Sequence, residues 1–315
     1  MTKLLALSLL PLSACVEFDP GSLITDTRVL GATVQVEGDL ERATPRPGET
    51  ANLGFVIEGV VLEPVVSWSL AVCLPTSTTC AEASLTSSTG RGSAPTLQVR
   101  VPAESALGDA RSLHIEGVIC MRGEPDATRS RCVGDQADGT PLVYELALAR
   151  RDDDENLQPN VAQTRFRFDG QEWPEGDALA QGCRAQPELP QALADEKEHR
   201  ITIELGPDAR ELYVGPDGEA MYEELQLSTF VNAGELERQF SFVSAADERE
   251  RPAIELKWTS PKRKRVEGND LGVRLLVLVR DSRGGLSRLE RSLCTVREAS
   301  GQLSARAVRT LDAGD

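Results

Sequence analysis

Apolar and polar positions alternate with period two through the most informative stretches of the chain, the pattern of strands with one buried face. Within 51–59 the inward set is Leu53, Phe55 and Ile57. Val66, Trp68, Leu70 and Val72 follow, then Leu97, Val99 and Val101, then Leu142, Tyr144, Leu146 and Leu148. Loops of Gly, Pro, Ser and Thr separate these runs, and Pro45-Arg46-Pro47-Gly48-Glu49 reads as a turn ahead of one of them. Short strands punctuated in this way predict an antiparallel β-sandwich.

The layout recurs further along. Asn232-Ala233-Gly234-Glu235 precedes a strand carrying Phe240 and Phe242, as Pro47-Gly48-Glu49 precedes Phe55. A run with Ile254, Leu256 and Trp258 then mirrors Val66, Trp68 and Leu70, with 24 residues from Gly234 to Trp258 against 20 from Gly48 to Trp68. Residues 273–280, the turn Asp281-Ser282-Arg283-Gly284-Gly285 and residues 286–296 make a hairpin. A core Trp on the third strand between two sheets is the arrangement of an immunoglobulin-like sandwich. The expected fold is therefore all-β, with two tandem immunoglobulin-like domains.

The N-terminus sets the expected compartment. A basic start at Lys3, the apolar run Leu4–Leu10 and small residues before Cys15 make an export signal. That run is far shorter than the roughly 20 residues of a membrane-spanning helix. Leu12-Ser13-Ala14-Cys15 resembles the bacterial lipobox, which implies a diacylglyceryl group on the Cys15 thiol and Cys15 as the new N-terminus. The plainer alternative is an ordinary secretion signal beside a coincidental Cys. Each buried CH₂ contributes about 0.8 kcal/mol, so two or three chains on one residue hold a protein durably where one does not. Val16 rather than Asp follows the Cys, which by resemblance to the enterobacterial sorting pattern implies the outer membrane. The expected boundaries are a signal peptide 1–14, a lipidated tether 15–27, a first sandwich 28–150 and an acidic connecting segment 151–198. A second sandwich 199–298 and a flexible tail 299–315 complete the chain.

Six Cys remain after Cys15: Cys73, Cys80, Cys120, Cys132, Cys183 and Cys294, an even number suited to disulfides in an oxidising compartment. Fifteen pairings are open. If Cys73 ends the third strand of a sandwich and Cys120 ends the antiparallel strand beside it, the two lie at opposite ends, about 20 Å apart. A disulfide needs Cα atoms within roughly 7 Å. The expected bonds are thus the local Cys73–Cys80 and Cys120–Cys132, leaving Cys183 with Cys294.

Charge and composition exclude more than they select. The chain carries 34 Lys and Arg against 50 Asp and Glu, a net charge of −16, which disfavours nucleic acid as a partner. Two His, His114 and His199, leave little for histidine chemistry, and no nucleophile-elbow, zincin, Walker or dinucleotide motif occurs. The run Asp152, Asp153, Asp154, Glu155, Asn156 offers oxygen ligands for calcium, but a solvated linker has the same composition. Lys262, Arg263, Lys264 and Arg265 form the one basic cluster, either a solvated loop or a contact patch for anionic head groups or an acidic partner. Thr76–Ser93 is rich in hydroxyls and reads as a long mobile loop. The loop closed by Cys120 and Cys132 projects where sandwiches place binding residues, which makes Arg129 and Arg131 candidates.

The lipobox, Ser22-Leu23-Ile24 leading to Arg28-Val29-Leu30, Pro47-Gly48-Glu49 and Ser67-Trp68-Ser69 with Cys73 form one set of motifs. Asn156-Leu157-Gln158-Pro159 and Arg280-Asp281-Ser282-Arg283-Gly284-Gly285 extend it. Together they resemble an uncharacterised family of two-unit outer-membrane lipoproteins from GC-rich Gram-negative bacteria, and 29 Arg against five Lys fit such a genome. The resemblance implies architecture and location without a mechanism. The expected function is a non-catalytic, lipid-anchored envelope protein with no cofactor, held at the membrane by acyl chains and binding another envelope protein or glycan. The alternative is a periplasmic carboxylate-dependent hydrolase or carbohydrate-active enzyme.

Overall fold

The computed structural model describes residues 21–59, 63–77, 79–80, 83–150, 155–215, 218–266 and 270–297. The signal peptide with Cys15, the carboxylates Asp152, Asp153 and Asp154, and the tail 299–315 lie outside the described residues. Among the described residues no helix is long and apolar enough to cross a membrane.

The first unit is built from β1 (Arg28–Val36), β2 (Thr50–Glu58), β3 (Val66–Cys73), β4 (Thr86–Gly92) and β5 (Thr96–Arg100). The short helix α1 (Glu104–Leu107), β6 (Ser112–Pro125) and β7 (Cys132–Ala147) complete it. A sheet of order β1-β2-β5 faces one of order β4-β3-β6-β7, all antiparallel. The alternating residues meet between them: Leu53, Phe55, Ile57, Val66, Trp68, Leu70, Val72, Leu97, Val99, Val101 and Leu146 form one buried cluster. This is the order of an immunoglobulin-like sandwich.

One expectation fails here. The hydroxyl-rich segment is not a mobile loop throughout, because Thr86–Gly92 pairs with β3 along its whole length. Ser88 Oγ accepts the Trp68 indole N–H at 3.3 Å, and a Cβ on Gly90 would sit 2.4 Å from the Trp68 ring. The small residues of this edge strand make room for the tryptophan.

The second unit contains β8 (Arg165–Phe168), β9 (Gln171–Glu172), α2 (Ala178–Gln181), β10 (Gln191–Leu193) and β11 (Glu198–Glu204). It continues with β12 (Leu212–Val214), β13 (Ala220–Tyr222), β14 (Leu225–Val231), β15 (Glu235–Leu236), β16 (Phe240–Val243), β17 (Ala253–Thr259), β18 (Asp270–Asp281) and β19 (Leu286–Val296). Its sheets run β10-β19-β18-β14-β16 and β15-β17-β11-β8-β9. Strands β11, β14, β16, β17, β18 and β19 thus occupy the places of β2, β3, β4, β5, β6 and β7.

This correspondence corrects the expected repeat, and the strand pairing moves two of the expected boundaries. Trp258 lies on β17, the counterpart of β5, not of the Trp68 strand. Gly234 also does a different job from Gly48: a Cβ on it would clash with Trp258 Nε1 at 2.4 Å, whereas nothing stands within 4 Å of Gly48. The two units share a fold, but the Gly-to-Trp spacing does not align them. Phe240 and Phe242 point outward, and Ser241 and Val243 face in. The second unit does not begin at 199, since β8 completes the β11 sheet and β10 pairs in parallel with β19. Nor is 15–27 wholly a tether: Leu23 bridges Val231 and is buried in the second core, and Ile24 N–H donates to Val231 O at 2.8 Å.

The sandwiches pack against each other. Ile24, Leu30 and Val56 meet Phe230, Leu276, Leu278 and Leu286 in a separate apolar cluster. Within this contact Arg274 Nη2 and Glu58 Oε2 pair at 2.7 Å with side chains only 6% and 4% exposed, and Arg288 reaches Glu58 Oε1 at 2.7 Å. The connecting segment is stitched to both sides. Asn156 is fully buried, its N–H donating to Thr44 Oγ1 and its amide to Asp281 Oδ2 at 3.0 Å, and Gln158 accepts from Leu286 N–H at 2.8 Å.

Candidate functional site

The three disulfides are Cys73–Cys80, Cys120–Cys132 and Cys183–Cys294, with Cα separations of 5.0, 5.7 and 5.7 Å. The strand register gives the reason for the first two. Cys73 stands opposite His114 and Cys120 opposite Ser67, six residues apart along the pair, so only local closure is within reach.

Both local disulfides brace the same surface, the solvent side of the β4-β3-β6-β7 sheet. Ala71, Cys73 and Cys80 form a small buried cluster there under the first loop. Glu116 fastens that loop from β6: Oε2 accepts the Cys80 N–H at 2.9 Å and Oε1 lies 3.1 Å from His114 Nε2. His114 is thus a strand-surface residue. The second loop is delivered by a bent arm. Pairing runs regularly to Cys120 and Gly139, then shifts so that Glu124 meets Val133 and Pro125 meets Cys132. The extra β7 residues include Gly134 and Gln136 at positive φ, and they carry Cys132 back over Gly139, where a Cβ would stand 2.2 Å from its sulfur.

The arm's tip is held by Asp126. Its carboxylate accepts from Thr128 Oγ1 at 2.8 Å and from Ser130 N–H at 3.0 Å, and the Thr128 bond leads the causes that hold this acid below its ordinary range. Arg129 takes a positive φ of 60° in the turn. Between the two loops lies a cleft of ≈ 310 Å³. Its floor is Ala71, Gly117, Pro141, Leu142 and Val143, with Thr79, Cys80 and Glu116 on one side and Thr128, Arg129 and Ser130 on the other. Val143 is 69% exposed, an aliphatic side chain held open to water on a rigid sheet.

Of the predicted residues, Arg129 lines this cleft. Arg131 is 78% exposed, 3.5 Å from Asp126, and is not among the lining residues. Lys262, Arg263, Lys264 and Arg265 belong to the second unit, around a single 3₁₀ turn at Arg263–Arg265, where Lys262 pairs with Glu196 at 3.3 Å. The structure does not bring the two basic groups together. Glu155 faces Arg42 and Arg46 at 2.9 and 2.8 Å, and the Asn156 amide faces Asp281. Among the described residues no group of three or more His, Cys, Asp or Glu is placed to hold a metal ion.

Two other titratable groupings stand apart from the cleft. His199 stacks on Phe168 at 4.9 Å between ring centroids, and its Nδ1 lies 2.8 Å from Asp169 Oδ2. Asp169 and Gly170, both at positive φ, make the β8–β9 turn. Burial opposes ionisation of Asp169, but hydrogen bonds from His199 and the Arg200 amide outweigh it and hold the carboxyl below its usual range. At the junction of the units, Arg283 Nη1 binds Glu223 Oε1 at 3.1 Å and Glu211 Oε2 at 3.3 Å. Burial, then the nearby Asp281 charge, pushes Glu223 up to about 7, yet that side chain is 1% exposed and closed to a substrate. Sequence reasoning passed over Val143 and Gly117 because the fold-back of the arm, which makes them a cleft floor, depends on bulges in β7.

The described residues therefore form a pair of packed immunoglobulin-like sandwiches with an apolar cleft walled by two disulfide-closed loops. No protein-family model matches the chain, and no curated protein matches it. Among solved structures it shows a distant similarity to the Enterococcus faecalis MSCRAMM ACE, which binds its ligands by the collagen Hug model. The identity is 6% and the TM-score 0.18, over 85% of this chain and 95% of that one. A likeness at that level supplies no argument about what the present chain does.

Proposed function

We propose that this chain is a non-catalytic, lipid-anchored envelope protein, held at the outer membrane through Cys15, that binds another envelope protein in the cleft of its first unit. One observation carries the reading: both short-range disulfides buttress opposite walls of the same cleft. Loops closed in advance lose less conformational freedom when a partner binds. An apolar floor with a few polar groups at its rim is the usual composition of a recognition site. Glu116, the carboxylate in the lining, is already committed to the Cys80 amide and to His114, so the cleft favours binding over acid–base chemistry.

A photo-crosslinking residue at Val143 in intact cells tests this, with the same probe at Thr202 on the second unit as control. The expected result is one partner captured from position 143, absent from 202 and lost when Arg129→Glu is added. Identical capture from both positions, or capture indifferent to Arg129→Glu, overturns the cleft as the contact. The anchor has its own check: intact mass of the mature protein should show acyl chains on Cys15, and a bare thiol there removes the anchor.

A further inference from the structure

Phe240 and Phe242 are 46% and 59% exposed on the outward side of β16, which ends its sheet and pairs with β14 alone among the described strands. Their surroundings are unusual for this chain. Gln239–Ala246 contains no charged residue, although the protein as a whole carries 34 basic and 50 acidic side chains. Two exposed aromatic rings on an uncharged strand suit a surface from which water is withdrawn.

The path of the N-terminal segment says what that surface is. Residues 22–24 and β16 lie end to end along one side of β14: Ser22 O accepts from Val231 N–H and Gln239 O accepts from Thr229 N–H, each at 2.8 Å. Leu23 and Val231 are bridged in parallel, so tracing the chain backward from Leu23 leads past Thr229 toward β16. Gly21 lies against the Gln239 side chain, where an added Cβ would be 2.8 Å from Oε1. Six peptide steps separate Gly21 from Cys15, which span about 20 Å even when fully extended.

We propose that Phe240 and Phe242 are a membrane-contact patch: they dip into the lipid surface beside the anchored N-terminus and fix the molecule's orientation on it. This rests on Cys15 carrying the anchor. Because Leu23 is locked into the second core, the short leader keeps Gly21, which lies against Gln239 at the start of the Phe strand, within its own contour length of the anchor. Exposed aromatic rings are favoured at that interface, where a ring leaves water without needing a partner.

The three native Trp are all buried, out of a lipid quencher's reach, so the emission that a variant adds over wild type reports the new site. F242W and V143W proteins, purified in acylated form, are reconstituted in phosphatidylcholine vesicles with brominated acyl chains. The expected result is that this added emission is quenched about twofold or more for F242W and unchanged for V143W. An acylated, vesicle-bound F242W protein that is not quenched overturns the patch. Should intact mass show Cys15 unmodified, the anchor reading has failed, and the chain from residue 16 with an N-terminal hexahistidine on nickel-chelating lipid decides the patch alone. Quenching there supports it and none overturns it. A dimer in detergent-free buffer that F240S/F242S dissociates would instead make a second copy the occupant, and the proposal falls.

Discussion

Glu223 shows how one side chain couples stability to pH. Its carboxyl is pushed up to about 7 by burial and by Asp281, above the ordinary value of 4.5 that it regains on unfolding. Between those values the folded chain holds a proton that the unfolded chain has released, so stability falls as pH rises from about 4.5 to 7 and is level above that. The span corresponds to at most about 3 kcal/mol, at 1.36 kcal/mol per unit. Glu223→Gln is expected to abolish this slope, so the stability difference between wild type and variant should shift steadily in the variant's favour across that range. Urea midpoints at pH 5, 6 and 7 measure it, and a constant difference refutes the assignment. Nothing in the sequence singled out Glu223, since its environment is assembled from Glu211, Asp281 and Arg283, which lie up to 60 residues away.

At the scale of elements, Gly117 governs the pairing that supports the cleft. A Cβ there would stand 2.1 Å from Ser69 O and 2.9 Å from Leu70 Cα, against backbone that cannot step aside. Gly117→Ala is expected to destabilise the first unit by about 1–3 kcal/mol or more through forced strand separation. Calorimetry should show the loss, and an unchanged melting temperature would contradict it. The strands of the first unit were legible because period-two alternation survives in β2, β3 and β5, each with a buried face. Other elements were hidden for identifiable reasons. The strand β4 reads Thr-Ser-Ser-Thr-Gly-Arg-Gly because it shelters Trp68 instead of filling a core. The four residues of β8 alternate as Arg-Phe-Arg-Phe, but so short a run carries little periodic signal. Phe240 and Phe242 satisfied the alternation rule with the wrong face, since periodicity reports that alternate residues share a side and not which side is dry. The disulfides were legible because register and reach leave few choices.

At the scale of the whole molecule, the two sandwiches meet at the Glu58–Arg274–Arg288 contact and the apolar cluster around it. Removing one partner of a buried ion pair leaves the other charge desolvated and costs about 3–5 kcal/mol. Glu58→Ala is expected to split unfolding into two steps, the first-unit Trp68 signal separating from Trp173 and Trp258 of the second. A single transition shifted by less than about 1 kcal/mol would show the interface to be held by its apolar cluster alone. This docking was not legible in the sequence, because Val56, Leu276 and Leu278 look like core residues and are core only to the junction between units.

The long-range disulfide has a temporal consequence. The first unit's two bonds close over 7 and 12 residues, whereas Cys183 must wait for Cys294, 111 residues downstream on the final strand. A polypeptide emerging from its N-terminus can seal its first half while still being synthesised, but a chain that ends between Cys183 and Cys294 keeps Cys183 as a naked thiol. That thiol would label unfinished molecules for any surveillance system that reads free sulfhydryls, and it disappears only when the product is whole.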